Sequence, residues 1–195
     1  MNKNIPESLL RRCSDEALKA HGTGYIFEKR AAEIKTKLNI LNFFGIIGPV
    51  ALGTTIATYD LNNDAVDAVK FIAGTIGFIQ IIFTTWSMIE GWGDKASSYT
   101  ESKSSNYSIA KRLKDLEHNL TLSKNQFESE LAVIEKEIEI RNTIDAKHDI
   151  KDEEKRMGMR YGLRKYQRPC AGCKMVPTNM KPTDCGICGD FNEKK

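Results

Sequence analysis

Residues 38–59 read LNILNFFGIIGPVALGTTIATY, and residues 71–89 read FIAGTIGFIQIIFTTWSMI. Neither stretch holds a charged side chain. As helices they would extend roughly 33 Å and roughly 28 Å, at about 1.5 Å per residue. The hydrocarbon core of a bilayer is about 30 Å thick. Both stretches are therefore expected to span a membrane. Tyr59 ends the first, and Trp86 and Trp92 flank the end of the second, where interfacial aromatic anchors belong. The rival is a soluble protein with two fully buried core helices. The rest of the chain argues against it: mostly charged amphipathic helix, and too short to wrap both. Pro49 lacks a backbone donor and is expected to bend the first span.

Whole-chain averages hide this layout. The 195 residues hold 29 Lys and Arg against 26 Asp and Glu, a net charge of +3. With 28% charged and 41% hydrophobic residues, the mean is that of a small soluble protein, but the two kinds are segregated along the chain. The Leu, Ile and Val content excludes wholesale disorder. Five prolines without a Gly-X-Y period exclude a collagen-like chain. Four of the five cysteines crowd into 170–188, which is not the pattern of a disulfide-laced secreted miniprotein.

Polar, amphipathic residues precede the first span and no small-residue cleavage site follows it, so it is expected to remain as an anchor. Lys3, Arg11, Arg12, Lys19, Lys29, Arg30, Lys35 and Lys37 come before it. The connection 60–70 holds only Lys70, while Lys95, Lys103, Lys111 and Arg112 follow the second span. The positive-inside rule places both termini in the cytoplasm. Thiols there stay reduced and free to bind metal.

The second span carries a strip of small and polar residues, Ala73, Gly77, Gln80, Thr84 and Ser87. At 100° per residue the strip is about 80° wide. Gly48, Ala51, Thr55 and Thr58 make a similar strip on the first. Gln80 lies mid-span, where an unpaired amide is costly. One reading is helix packing, within the hairpin or between protomers. The other is a polar pore lining in a homo-oligomer.

Outside the spans, Ile5, Leu9, Leu10, Cys13, Ala17 and Leu18 trace one apolar helical side, with Asn4 a candidate cap. Gly22-Thr23-Gly24 is expected to break or bend that helix, a second helix starting near Tyr25. It lacks the third glycine and the preceding strand of a dinucleotide fingerprint. The Ser-rich stretch 96–108 reads as linker or polar helix. Ile109, Leu113, Leu116 and Leu120 then form one coiled-coil-like seam, and Phe127, Leu131, Ile134 and Ile138 another. Ser123 and Gln126 fit a capping box. A helical hairpin turning near 119–124 is expected, its second arm reaching about Met157; one long helix with a stutter is the rival. His118 and His148 fall on charged faces, and no histidine pair has metal-ligand spacing.

The tail carries the strongest chemical signal. Cys170-Ala-Gly-Cys173 and Cys185-Gly-Ile-Cys188 are separated by eleven residues. Two such knuckles grip one tetrahedral ion, zinc by default, and leave no open position, so the site is structural. Iron takes the same ligands. Gly189 suits a left-handed residue after the second knuckle, and Lys174 makes the first less regular. Lys155, Arg156, Arg160, Arg164, Lys165, Arg168, Lys174 and Lys181 surround the site without an acidic residue between Lys155 and Thr183. They could offset the formal charge of about −2 on a tetrathiolate zinc. Contact with anionic lipid or a protein comes next, and nucleic acid, with Tyr161 and Tyr166 stacking, last. No Walker loop, Ser/His/Asp set or open metal position is present, so no enzyme is expected.

The sequence sums to an all-α integral membrane protein. It divides into N-terminal amphipathic helices (1–37), a transmembrane hairpin (38–92), a cytosolic helical coiled-coil segment (93–157) and a basic zinc-ribbon-like module (158–195). The spacing Cx2Cx11Cx2C, with LLRRCSDEALKAHGTGYIFEKRA (9–31) and MRYGLRKYQRPCAGC (159–173), resembles the mobilome CxxCx(11)CxxC proteins. The helix, two-span and cytosolic-helix layout resembles the SLATT domains of bacterial conflict systems. The resemblance implies a membrane effector in the bacterial inner membrane, serving defence against phage or conflict between mobile elements and forming oligomeric pores. It also implies partner proteins that sense or make nucleotides. Only the four cysteines carry over as functional positions. The alternative is a membrane-tethered adaptor whose zinc module binds a protein, nucleic acid or anionic lipid.

Overall fold

A computed structural model describes residues 5–58, 64–119 and 121–192. These form five helices and no strand: α1 (Glu7–Thr58), α2 (Asp64–Ile89), α3 (Trp92–His118), α4 (Lys124–Asp145) and α5 (Asp152–Lys165), with one 3-10 turn at Ala146–His148. The chain divides into two units, Met1–Lys29 with Tyr99–Lys195, and Arg30–Ser98. Asn4, Tyr59, Leu120 and the side chain of Thr55 lie outside the described residues.

In the first unit, the seams read from periodicity pack on each other. Ile109, Leu113 and Leu116 of α3 meet Phe127, Leu131 and Ile134 of α4, and Ile5, Cys13, Ala17 and Ala20 close the same core. The thiol of Cys13 donates to the Leu113 carbonyl at 3.1 Å. The expected capping box starts α4: Gln126 N–H meets Ser123 Oγ at 3.4 Å, and Ser123 N–H donates to the Gln126 side chain at 3.0 Å. The chain turns between α3 and α4, as a hairpin requires.

Two expectations are corrected. First, Gly22 and Gly24 do not interrupt α1, which is helical from Glu7 to Thr58. They serve close approach instead. A Cβ at Gly22 would lie 2.6 Å from the Gly158 carbonyl oxygen, and one at Gly24 would lie 2.8 Å from the Tyr107 ring. Second, the arm after the hairpin ends at Asp145, not near Met157. Asp149 is left-handed (φ 43°), and a new helix starts at Asp152, whose first turn is held by Lys151 N–H donating to Glu154 at 3.0 Å. Of the two readings of the Ser-rich stretch, linker or polar helix, the helix is found, inside α3. Its buried Ser102 and Asn106 belong to a polar network with Arg141 and Asp145 of α4. Asn106 donates to Asp145 at 2.7 Å, and Arg141 donates to Asp145 at 2.9 Å and to Ser102 Oγ at 3.2 Å.

The second unit pairs the apolar part of α1 with α2. Phe43, Phe44, Ile46 and Ile47 on α1, and Phe71, Phe78, Ile81 and Phe83 on α2, are exposed. Among the described residues, one segment, Asp67–Ile89, is long and apolar enough to cross a membrane. The first apolar stretch is helical as far as Thr58, and Pro49 lies inside that helix. After α2, Gly91 adopts φ 60°, a conformation that favours glycine, and α3 begins at the next residue.

Candidate metal centre

The two CxxC segments fold back on each other after α5. Each closes with the same bond: Lys174 N–H donates to the Cys170 carbonyl at 2.9 Å, and Gly189 N–H to the Cys185 carbonyl at 2.8 Å. The four sulfur atoms converge, all within 4.8 Å of one another. Cys170 Sγ lies 3.9 Å from Cys185 Sγ, and Cys173 Sγ lies 3.9 Å from Cys188 Sγ. Four thiolates about 2.3 Å from one tetrahedral ion would sit roughly 3.8 Å apart. The donor set and its spacing thus fit a metal ion with no position left open.

Local electrostatics favour thiolate at one position. Backbone N–H groups of Ile187 and Cys188 point at Cys185 Sγ and draw its pKa down to about 6. Cys188 is pushed up, first by burial and then by the neighbouring thiols. A cation among the sulfurs removes that conflict, because a coordinating thiol is deprotonated outright.

The glycine expectation is reversed. The left-handed residue beside the knuckles is Lys174 (φ 60°), not Gly189. Gly189 is needed for space: a Cβ there would collide with the Thr183 hydroxyl and lie 2.5 Å from the Thr183 carbonyl oxygen. That contact lets Thr183 N–H reach the Gly189 carbonyl at 2.9 Å.

Helix α5 binds this module to α1. Leu18 and Leu163 pack with Cys170 and Cys188 in one buried cluster. Gly158 and Gly162, four residues apart, let the α5 backbone reach α1: a Cβ at Gly162 would lie 2.8 Å from the Leu18 carbonyl oxygen. Periodicity missed this pair, although its GxxxG spacing is visible in the sequence.

Part of the basic cluster proves structural. Arg156 donates to the Gly186 carbonyl at 3.0 Å and the Asp190 carbonyl at 3.1 Å. Arg160 donates to the Asn179 carbonyl at 2.8 Å and the Cys188 carbonyl at 3.4 Å. Arg168 pairs with Asp15 at 2.7 Å. These three clamp knuckles and helices rather than presenting a free cationic face. Tyr161 stacks on Tyr25, with ring centroids 3.9 Å apart, and Tyr166 packs 5.4 Å from His21. His148, read as solvated, meets Phe27 and Tyr99 edge-on.

Of the strip on α2, Gln80 meets its own hairpin partner. Ala73, Gly77 and Gln80 are half-buried and Ser87 is buried, among exposed neighbours; Thr84 is exposed. With its amide oriented to pair donors with acceptors, Gln80 donates to the Phe44 carbonyl at 3.3 Å and accepts from Gly45 N–H at 3.0 Å. On α1 the half-buried positions are Leu38, Leu41, Gly45 and Gly48, while Ala51 and Thr58 of the expected strip are exposed.

No curated protein and no solved structure matches the chain. A family model described as mobilome CxxCx(11)CxxC protein matches residues 11–191, a range that holds all four clustered cysteines and α2 to α5. The chain belongs to the mobilome CxxCx(11)CxxC protein family.

Proposed function

We propose that this protein is a membrane-anchored, non-enzymatic component of a mobile genetic element, with a structural zinc site that fastens its cysteine-rich tail to a cytosolic helical domain. One observation carries the reading: the most apolar stretch within Asp67–Ile89 has a mean hydropathy of 1.6 and holds no buried residue. Leaving so much apolar surface in water is unfavourable, and a bilayer relieves it. The first apolar stretch supplies the other span of the hairpin. Both termini lie on the cytoplasmic side of a bacterial inner membrane, and the cysteines are kept reduced there. Zinc is the ion for four thiolates without an open position, which leaves it no catalytic role.

Within that reading the chain acts as a tether, displaying the metal-organised domain to a partner of the conflict system. The bonds of Gln80 to Phe44 and Gly45 within the hairpin support it, because they give that amide a packing role. A second reading, the SLATT-like oligomeric pore that kills or arrests an infected cell, draws on Gly53 and Gly74. Each leaves open space on its helix, where a helix of another copy could approach closely.

Membrane potential in bacterial cells separates the two, measured on inducing wild type and Gln80→Leu at equal membrane levels. A tether depolarises the cells in neither case. Depolarisation by wild type that Gln80→Leu abolishes would replace the tether with the effector.

A further inference from the structure

His21 of α1, Tyr107 of α3, and Tyr161 and Tyr166 of α5 wall an open cleft of about 430 Å³ within the first unit. Lys111 and Lys165 stand at the same cleft. Neither ammonium has an ion-pair or hydrogen-bond partner among the described residues, and the Tyr166 hydroxyl has none either. Most other lysines nearby are engaged: Lys114 pairs with Glu117 at 2.5 Å and lies over the Tyr166 ring, 5.1 Å from its centroid.

The acceptor side is nearly empty. Glu28 is the one carboxylate lining the cleft, and it is already in use. It accepts from the Tyr107 hydroxyl at 2.6 Å and faces Lys103 at 3.6 Å. The cleft therefore offers two unpaired cations and a free hydroxyl donor, with no unengaged anion to meet them. Both lysines are exposed, and a compact, multiply charged acceptor would meet the three donors better than water does. A phosphate group supplies three or four acceptor oxygens and a charge near −2, and hydrogen bonds between ionised partners are the strong ones.

We propose that this cleft binds a phosphate group, borne either by a soluble phosphate or by a phosphomonoester lipid headgroup. Lys111 and Lys165 supply the charge, and the Tyr166 hydroxyl supplies a directed donor. His21, stacked 5.3 Å from Tyr161, and the Tyr107–Glu28 pair hold the aromatic wall in place.

The test uses the full chain in detergent micelles, followed by phosphorus NMR. It is titrated separately with inorganic phosphate and with a short-chain phosphatidic acid. Saturable binding is expected in at least one arm. Lys111→Gln with Lys165→Gln should weaken it about tenfold or more, the scale of losing charge-assisted bonds. Tyr166→Phe should weaken it by about threefold at constant charge. Lys181→Gln, at an exposed lysine away from the cleft, should leave it unchanged. Melting temperature and metal content confirm that each variant is folded. Saturation by phosphate identifies a soluble ligand, and saturation by phosphatidic acid alone identifies a lipid headgroup. No saturable binding in either arm, or an equal loss in Lys181→Gln, overturns the proposal.

Discussion

Gly22 of α1 and Gly158 of α5 meet backbone to backbone. A Cβ on Gly22 would lie 2.6 Å from the Gly158 carbonyl oxygen, and a Cβ on Gly158 would lie 2.8 Å from that of Gly22. Neither neighbour is a flexible side-chain end that could swing aside. Gly22→Ala or Gly158→Ala should therefore destabilise the first unit by about 1–3 kcal/mol, the usual scale of overpacking. Gly93→Ala, where a Cβ meets nothing within 4 Å, should cost nothing measurable. Thermal melting of the three variants checks this, and equal melting temperatures would remove the close contact.

The buried pair Arg141–Asp145 makes a second prediction. Both side chains are almost fully buried, and Asn106 completes the hydrogen bonding of the carboxylate. Asp145→Ala leaves a guanidinium buried with only its Glu101 and Ser102 contacts, and should cost about 3–5 kcal/mol. Arg141→Met with Asp145→Leu removes both charges and should recover much of that loss. A double-mutant cycle by denaturant melting measures the coupling; additive losses would mean the pair does not act as a unit.

Metal loading should be visible in composition and in stability. Zinc content near one equivalent is expected for the wild-type chain, and close to none for Cys170→Ser with Cys185→Ser. Chelation should lower the melting temperature, because Cys170 and Cys188 share a cluster with Leu18 and Leu163. Elemental analysis after anaerobic purification measures the content. Wild-type protein free of metal would rule out a resident ion.

The acid limb of stability should carry a histidine signature. Burial, followed by the nearby Lys165 ammonium, lowers the pKa of His21, with Glu28 opposing. The folded state thus resists a proton that the unfolded chain accepts. The stability contribution is full above the ordinary histidine value of about 6.5 and is lost as pH falls through the lowered folded value. His21→Phe should flatten the melting temperature between about pH 7.5 and about pH 5. An unchanged slope in that variant would assign the acid limb to other groups.

Much of this architecture is legible in the sequence where local chemistry and packing agree. The seams of α3 and α4 have a helical period, Ser123 and Gln126 are a capping pair by spacing alone, and the four cysteines name their own chemistry. What escapes is decided by distant partners. Gly22 looks like a helix breaker until Gly158 is beside it, and no local propensity reports a neighbour so far along the chain. Ser102 and Asn106 leave linker and polar helix both open, because hydrophobic periodicity does not register polar side chains that bury by pairing with Arg141 and Asp145. Arg156 and Arg160 count as free charge in a sequence, yet their donors are spent on knuckle carbonyls. Gly189 shows the same limit within the metal module: its type was informative, but the cause is the space taken by Thr183 rather than a left-handed backbone.

Membrane topology is the most direct test of the central claim. Reporter fusions that are active only inside or only outside the cell would be placed at both termini and in the segment 60–66, together with alkaline extraction of the membranes. Expected is a protein that resists extraction, with both termini reporting from the cytoplasm and 60–66 from outside. Release of the chain into the soluble fraction, or a cytoplasmic signal from 60–66, would contradict a two-span anchor.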